Sequence, residues 1–348
     1  MNLRIAWLSP FILACAESES ARTIELTPRV MIAGVGDSVD LYLTRPVVSA
    51  RGWVAARRNY PPSDLVAVYD STGSYVQTIG RAGGGPGELR SLTSFGFGPG
   101  DSLWVIDGSM IVHVFEPPPG TRFVRSFRFE RPTVADFTPH GILVQPSFSP
   151  SARRYVHPRL LSWNGEELSG FAIPDTGGKE PRFAAIALAG PDLLWIGPEG
   201  IYEMMLLGKD GTIRQRITRQ ADWFPEDHKP SGFPWVHPPK PRIHSISVGP
   251  DGLLWVLVRR AHRNWEQNKS RAGQIKGLPT PRSMSALRIA DLFEGVVEVF
   301  DPVTGNLLAS RDVGGGVVDF VRPGMLCELL EDESGAIRIQ LWNVKLVR

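Results

Sequence analysis

Adjacent arginines beside an aromatic ring recur three times in this chain: Arg57-Arg58-Asn59-Tyr60, Arg153-Arg154-Tyr155, and Arg259-Arg260 shortly before Trp265. A guanidinium is a planar fork of donors that grips carboxylate, sulfate or phosphate at two points and stacks on rings, so these clusters fit an anionic ligand. A further stretch, residues 219–241, adds Trp223, His228, Trp235 and His237, whose rings could also stack on sugar faces. The plainer reading is that such arginines only keep loops soluble, and it stands beside the first. Asp136, Asp319, His228, His237 and His244 are the residues from which a metal site could be assembled. No CxxC pair, His-x-x-x-His helix or nucleophile motif accompanies them.

The elements that must position these residues are short strands. Apolar and β-branched runs of four to seven residues alternate with Gly, Pro and Asp turns, and no long stretch of period 3.6 intervenes. A unit recurs every forty to fifty residues, clearest at Gly98-Pro99-Gly100-Asp101-Ser102-Leu103-Trp104, Gly190-Pro191-Asp192-Leu193-Leu194-Trp195 and Gly249-Pro250-Asp251-Gly252-Leu253-Leu254-Trp255. Each unit reads as four antiparallel strands, A to D. Six units, at about 31–80, 92–130, 132–174, 182–218, 242–312 and 316–347, predict an all-β, six-bladed propeller. Residues 22–26 are expected to pair with the last blade and close the ring, because an open edge would template aggregation.

In such a meander the B–C and D–A links lie on one face of the disc and the A–B and C–D turns on the other. The long links at 57–63, 146–158, 219–241 and 259–293 all belong to the first face, and these links hold the arginine clusters. Long loops on a compact scaffold usually bind something. Acids at Asp70, Glu116, Glu166, Glu167, Asp210, Asp301, Glu331, Asp332 and Glu333 are assigned to the opposite face, giving a dipolar disc. Asp136 and Asp319 fall at equivalent inner positions of opposite blades, too far apart to hold one cation by themselves. Accepting backbone N–H bonds between blades is the role expected of them.

The run Ile79-Gly80-Arg81-Ala82-Gly83-Gly84-Gly85-Pro86-Gly87-Glu88-Leu89, followed by Leu103-Trp104-Val105-Ile106-Asp107 and Val112-His113-Val114-Phe115, resembles the repeat of NHL-type six-bladed propellers of exported bacterial proteins. The resemblance covers blades 1 and 2 closely, and the Asn-x-Arg usual after the Asp is missing after Asp107. It implies a fold and a binding or scaffold role. The Gly-rich run is not a phosphate loop, because strand and not helix follows it; Glu88 is expected to accept backbone N–H bonds there. Six-bladed relatives also include calcium-dependent hydrolases and zinc-dependent lyases with a metal in the central channel, and calcium or zinc enters under that alternative only.

At 348 residues, with 36 glycines and 30 prolines spread along its length, the chain is large enough for one propeller and offers no internal domain boundary. A formal net charge of +2 argues against a general nucleic-acid binder. Residues 1–15 read as a signal peptide: Arg4, then an apolar run from Ile5 to Ala14 too short to span a bilayer. Ile12-Leu13-Ala14-Cys15 fits a lipoprotein box with Cys15 acylated, residues 16–30 serving as tether and closing strand. Ala14-Cys15-Ala16 also fits ordinary cleavage before Glu17. The first predicts a monomer held in the cell envelope by its lipid alone, periplasmic or on the outer membrane; the second predicts secretion. Cys327, alone in an apolar strand, is expected to be a small buried hydrophobe. The partners expected are an anionic glycan, lipid or protein.

Overall fold

The computed structural model describes residues 22–34, 40–41, 45–59, 65–128, 135–145, 147–149, 154–173, 183–198, 200–225, 236–272, 290–331 and 336–348. They form six antiparallel sheets in a ring. The chain enters through strand β1 (Thr23–Ala33), and blade 1 follows with β2 (Asp40–Leu41), β3 (Val47–Val48), β4 (Val54–Asn59), β5 (Leu65–Tyr69) and β6 (Tyr75–Ile79), β2 and β3 both pairing with β4. Blade 2 comprises β7 (Leu92–Phe97), β8 (Leu103–Asp107), β9 (Ile111–Phe115) and β10 (Phe123–Arg128). Blade 3 begins with β11 (Ala135–Thr138) and β12 (Gly141–Val144), detours through the hairpin β13 (Ser147–Ser149) and β14 (Arg154–Val156), and ends with β15 (Arg159–Leu161) and β16 (Glu167–Gly170).

Blade 4 comprises β17 (Phe183–Gly190), β18 (Leu193–Pro198), β19 (Glu203–Gly208) and β20 (Ile213–Thr218). Blade 5 has β21 (Arg242–Val248) and β22 (Leu254–Ala261), then helix α1 (Trp265–Ala272) in its insertion, then β23 (Phe293–Phe300) and β24 (Leu307–Val313). Blade 6 has β25 (Val317–Arg322), β26 (Met325–Glu331) and β27 (Ile337–Val347), and its outer strand is β1.

The recurring tryptophans explain why the blades pack. Trp104, Trp195 and Trp255 sit at one register of the second strand and are at most 3% exposed. Each faces a small residue on the inner strand, namely Gly96, Ala187 and Ser247, which leaves room for an indole where the blades converge. A side chain at Gly96 would run into the ring of Phe137 from blade 3. The C–D turns explain many of the acids. Asp70 Oδ1 accepts from the N–H groups of Thr72 and Ser74, and Asp210 and Asp301 repeat that arrangement in blades 4 and 5.

Ring closure is more extensive than the five residues expected. β1 pairs with β27 from Thr23↔Val347 to Ala33↔Arg338, so residues 31–33 belong to blade 6 and not to blade 1. Ile24, Val30 and Ile32 are buried there, and fully burying such a side chain stabilises by about 1.5–3 kcal/mol. Parity corrects one acid. Glu331 ends β26, so it lies at a B–C end of the blade, on the insertion face; residues 332–333 are outside the described set. Tyr60, Arg153, His228, Trp235 and residues 1–21, with Cys15, also lie outside it.

Candidate functional site

The insertions at 60–64, 146–158, 219–241 and 262–292 join β4 to β5, β12 to β15, β20 to β21 and β22 to β23, which places all four on one face. The arginines expected in these loops are partly elsewhere. Arg57 and Arg58 lie on β4, Arg154 and Tyr155 on β14, and Arg259 and Arg260 on β22. Successive strand residues point to opposite sides of a sheet, so adjacent arginines cannot act as one fork. Arg58 donates to Thr78 Oγ1 at 3.0 Å.

Arg260 and Arg259 show the split. Arg260 turns towards Trp223, whose ring centroid lies 5.1 Å away, and pairs with Glu294 at 3.4 Å and Asp312 at 3.1 Å. Arg263 joins the same carboxylates. Two positive and two negative charges therefore neutralise one another. Trp223 packs edge-on to Tyr202 and is half-buried, while Trp265 is 3% exposed and belongs to the core beneath α1, with Lys269 over its ring. Neither tryptophan is a freely presented stacking surface. Arg259 turns the other way, towards blade 6, donating to the Val317 carbonyl at 3.4 Å and lying 5.6 Å from the Phe293 ring centroid.

The central channel holds the residues that sequence reasoning placed correctly but read incorrectly. Asp136 on β11 and Asp319 on β25 do face one another, and the guanidinium of Arg45 stands between them. It hydrogen-bonds Asp136 Oδ1 and lies 3.8 Å from Asp319 Oδ2. The other Asp136 oxygen accepts from Gln145 Nε2 at 2.8 Å, and Asp319 Oδ1 accepts from Ser245 Oγ at 2.5 Å. Side-chain donors occupy these carboxylates, where backbone N–H groups were expected. Asp136 above all, opposed by burial and helped by Asp319, raises the Arg45 pKa further above its already high ordinary value. Burial raises that of Asp319 despite Arg45 and Ser245.

A cation placed between these two aspartates would meet a guanidinium. No group of three or more His, Cys, Asp or Glu able to hold a metal occurs among the described residues. His237 is exposed, and His244 sits on β21 with its pKa held well below 6.5 by burial and then by Arg259 and Arg242. Cys327 is fully buried under Asp319, and burial pushes its thiol pKa up, so it is an inert core residue. Glu88 does accept the Gly85 N–H at 2.7 Å while pairing with Arg81.

Sequence reasoning missed Arg45, Gln145, Ser245 and Arg242. The signal for Arg242 was available: polar residues at 242, 244 and 245 interrupt an inner strand that must face the channel. Arg45 precedes its strand and has no such signature.

The chain is an all-β six-bladed propeller. No protein-family model matches its sequence, and no curated protein does. Among solved structures it resembles a DUF4221-family member from Bacteroides vulgatus at 11% identity and TM-score 0.56, over 93% of this chain and 99% of that one. A Bacteroides fragilis protein whose name gives export as an expectation aligns at 11% identity and TM-score 0.49, over 93% and 96%. The WD40 domain of Toxoplasma gondii coronin aligns at 9% and 0.45, over 94% and 87%. At such identities the likeness concerns fold alone. No helix among the described residues is long and apolar enough to cross a membrane.

Proposed function

We propose that this chain is an exported binding module, lipid-anchored through Cys15, that takes an acidic glycan on its insertion face. The observation that carries this reading is topological: the strand ends joined by all four long insertions lie on one face of the ring. The NHL-like repeat of blades 1 and 2 agrees with a binding role. A glycan is preferred to a membrane surface because insertions borne by blades 1, 3, 4 and 5 are spread around the ring, which suits a chain lying across it better than a flat bilayer.

The test is retention on an immobilised acidic polysaccharide, with a neutral polysaccharide and anionic-lipid vesicles in parallel, across a salt titration. Replacing Arg57, Arg153 and Arg259 together by Gln is expected to weaken retention by at least ~tenfold, the triple change being chosen because a single surface charge is worth about 1 kcal/mol or less. Replacing Glu116, Glu166 and Asp210 on the other face should change it little. Binding to vesicles without binding to polysaccharide would reassign the ligand, and equal retention of both triple variants would return the arginines to solubility.

A further inference from the structure

Arg242 and Arg259 are directly paired across β21 and β22, so their side chains leave the sheet on the same side and stand next to each other. Like charges in that relation are unfavourable in themselves. Arg259 is only 8% exposed, and its Nε has no hydrogen-bond partner. Among the described residues no carboxylate lies within ion-pair reach of either guanidinium. The acid in electrostatic contact with Arg259 is Asp319, and both its oxygens are engaged, by Ser245 and by Arg45.

The channel wall therefore has three guanidiniums here, Arg45 from blade 1 and Arg242 and Arg259 from blade 5, against two carboxylates, Asp136 from blade 3 and Asp319 from blade 6. His244 beside them adds no counter-charge. The excess positive charge is not spread over solvent-exposed loops, where it would cost nothing. It is concentrated on a buried side chain whose donors are incompletely used. A buried, unpaired charge is rarely retained unless something pairs with it. The pair also lies at the insertion-face end of blade 5, since Arg242 opens β21 immediately after the 219–241 link.

From this we infer that Arg242 and Arg259 form a binding site for one oxyanionic group, a carboxylate, sulfate or phosphate, at the inner edge of blades 5 and 6. Arg259 Nε and the guanidinium of Arg242 supply the donors, and the Phe293 ring and Val317 carbonyl fix the orientation of Arg259. The inference rests on the reading of the insertion face as the ligand-bearing one and names the group on the ligand that it reads. The earlier triple replacement contains Arg259 and so disturbs both readings; Arg242→Gln, which lies outside that triple, and the response to free anions separate them.

The experiment is calorimetry and thermal unfolding of the whole protein with sulfate, inorganic phosphate or glucuronate replacing chloride at constant ionic strength. One anion per chain is expected, with a rise in Tm that follows anion concentration through binding linkage. Arg242→Gln is expected to weaken binding by at least ~tenfold, as the loss of one charge-assisted fork implies. Arg259→Met is expected to abolish the response while leaving Tm without anion unchanged or higher, because it removes a buried charge and keeps the packing. That sign distinguishes a binding arginine from a structural one. A wild type indifferent to all three anions, or variants that respond to them as the wild type does, overturns the site. Retention on acidic polysaccharide alongside a null anion response would sink this inference and leave the glycan reading intact. An anion response without retention would do the reverse.

Discussion

Arg45 bonds Asp136 from blade 3 and faces Asp319 from blade 6 at 3.8 Å, so one side chain from blade 1 links three blades across the axis of the ring. Arg45→Met should leave two carboxylates facing each other in a half-buried channel. Breaking a fully buried pair costs about 3–5 kcal/mol, and the partial exposure of Arg45 and Asp136 reduces this to about 1–3 kcal/mol here. Urea unfolding measures it, and adding Asp136→Asn should recover part of the loss. An unchanged midpoint for Arg45→Met would show that the contact is not a strut.

Removing residues 1–26 should destabilise the ring by several times about 1 kcal/mol, because it strips Ile24 from the core beside Trp255 and exposes the edge of β27. Thermal unfolding and gel filtration at rising concentration report both effects. A truncated chain that melts with the parent and stays monomeric would refute the role assigned to β1.

His244 should make the protein acid-sensitive. Its native pKa is held below the unfolded value near 6.5, so the unfolded chain takes up a proton that the native one refuses. Stability then falls as pH drops below about 6.5, by at most about 1.4 kcal/mol per pH unit, until the native pKa is reached. The charged groups acting on it are Arg259, Arg242 and Arg45; elsewhere on the channel wall the raised pKa of Asp319 acts in the opposite sense at lower pH. His244→Gln compared with wild type between about pH 5 and 6.5 isolates the histidine. Parallel stability curves would contradict the assignment.

Cys15→Ser should release the protein from detergent-extractable membranes into the soluble exported fraction, with loss of fatty-acid labelling. Unchanged fractionation and labelling would favour ordinary cleavage before Glu17.

The number of blades was legible in the sequence because the same constraint recurs: a Gly-Pro-Asp turn, then a Trp at the position that faces Gly96, Ala187 or Ser247. The inner positions of Asp136 and Asp319 were legible for the same reason. Their partner was not, since Arg45 reaches them through space from a segment with no repeat signature. The arginine pairs misled because adjacency in sequence is opposition in a strand, which sends Arg259 to Val317 and Arg260 to Trp223. Glu331 was placed on the wrong face because blade 6 takes its outer strand from the N-terminal segment. Its last links therefore shift by one in parity.

That borrowed strand also sets an order in time. Val30 and Gln340, hydrogen-bonded in the closing blade, are 310 residues apart, so β1 has no partner until the last strand of the ring has been made. Five blades can gather while β1 waits with an unpaired edge. A chain interrupted before Ile337 has no way to shield that edge, whatever the quality of its other blades. Closure of the ring thus depends on its two most distant strands being present together.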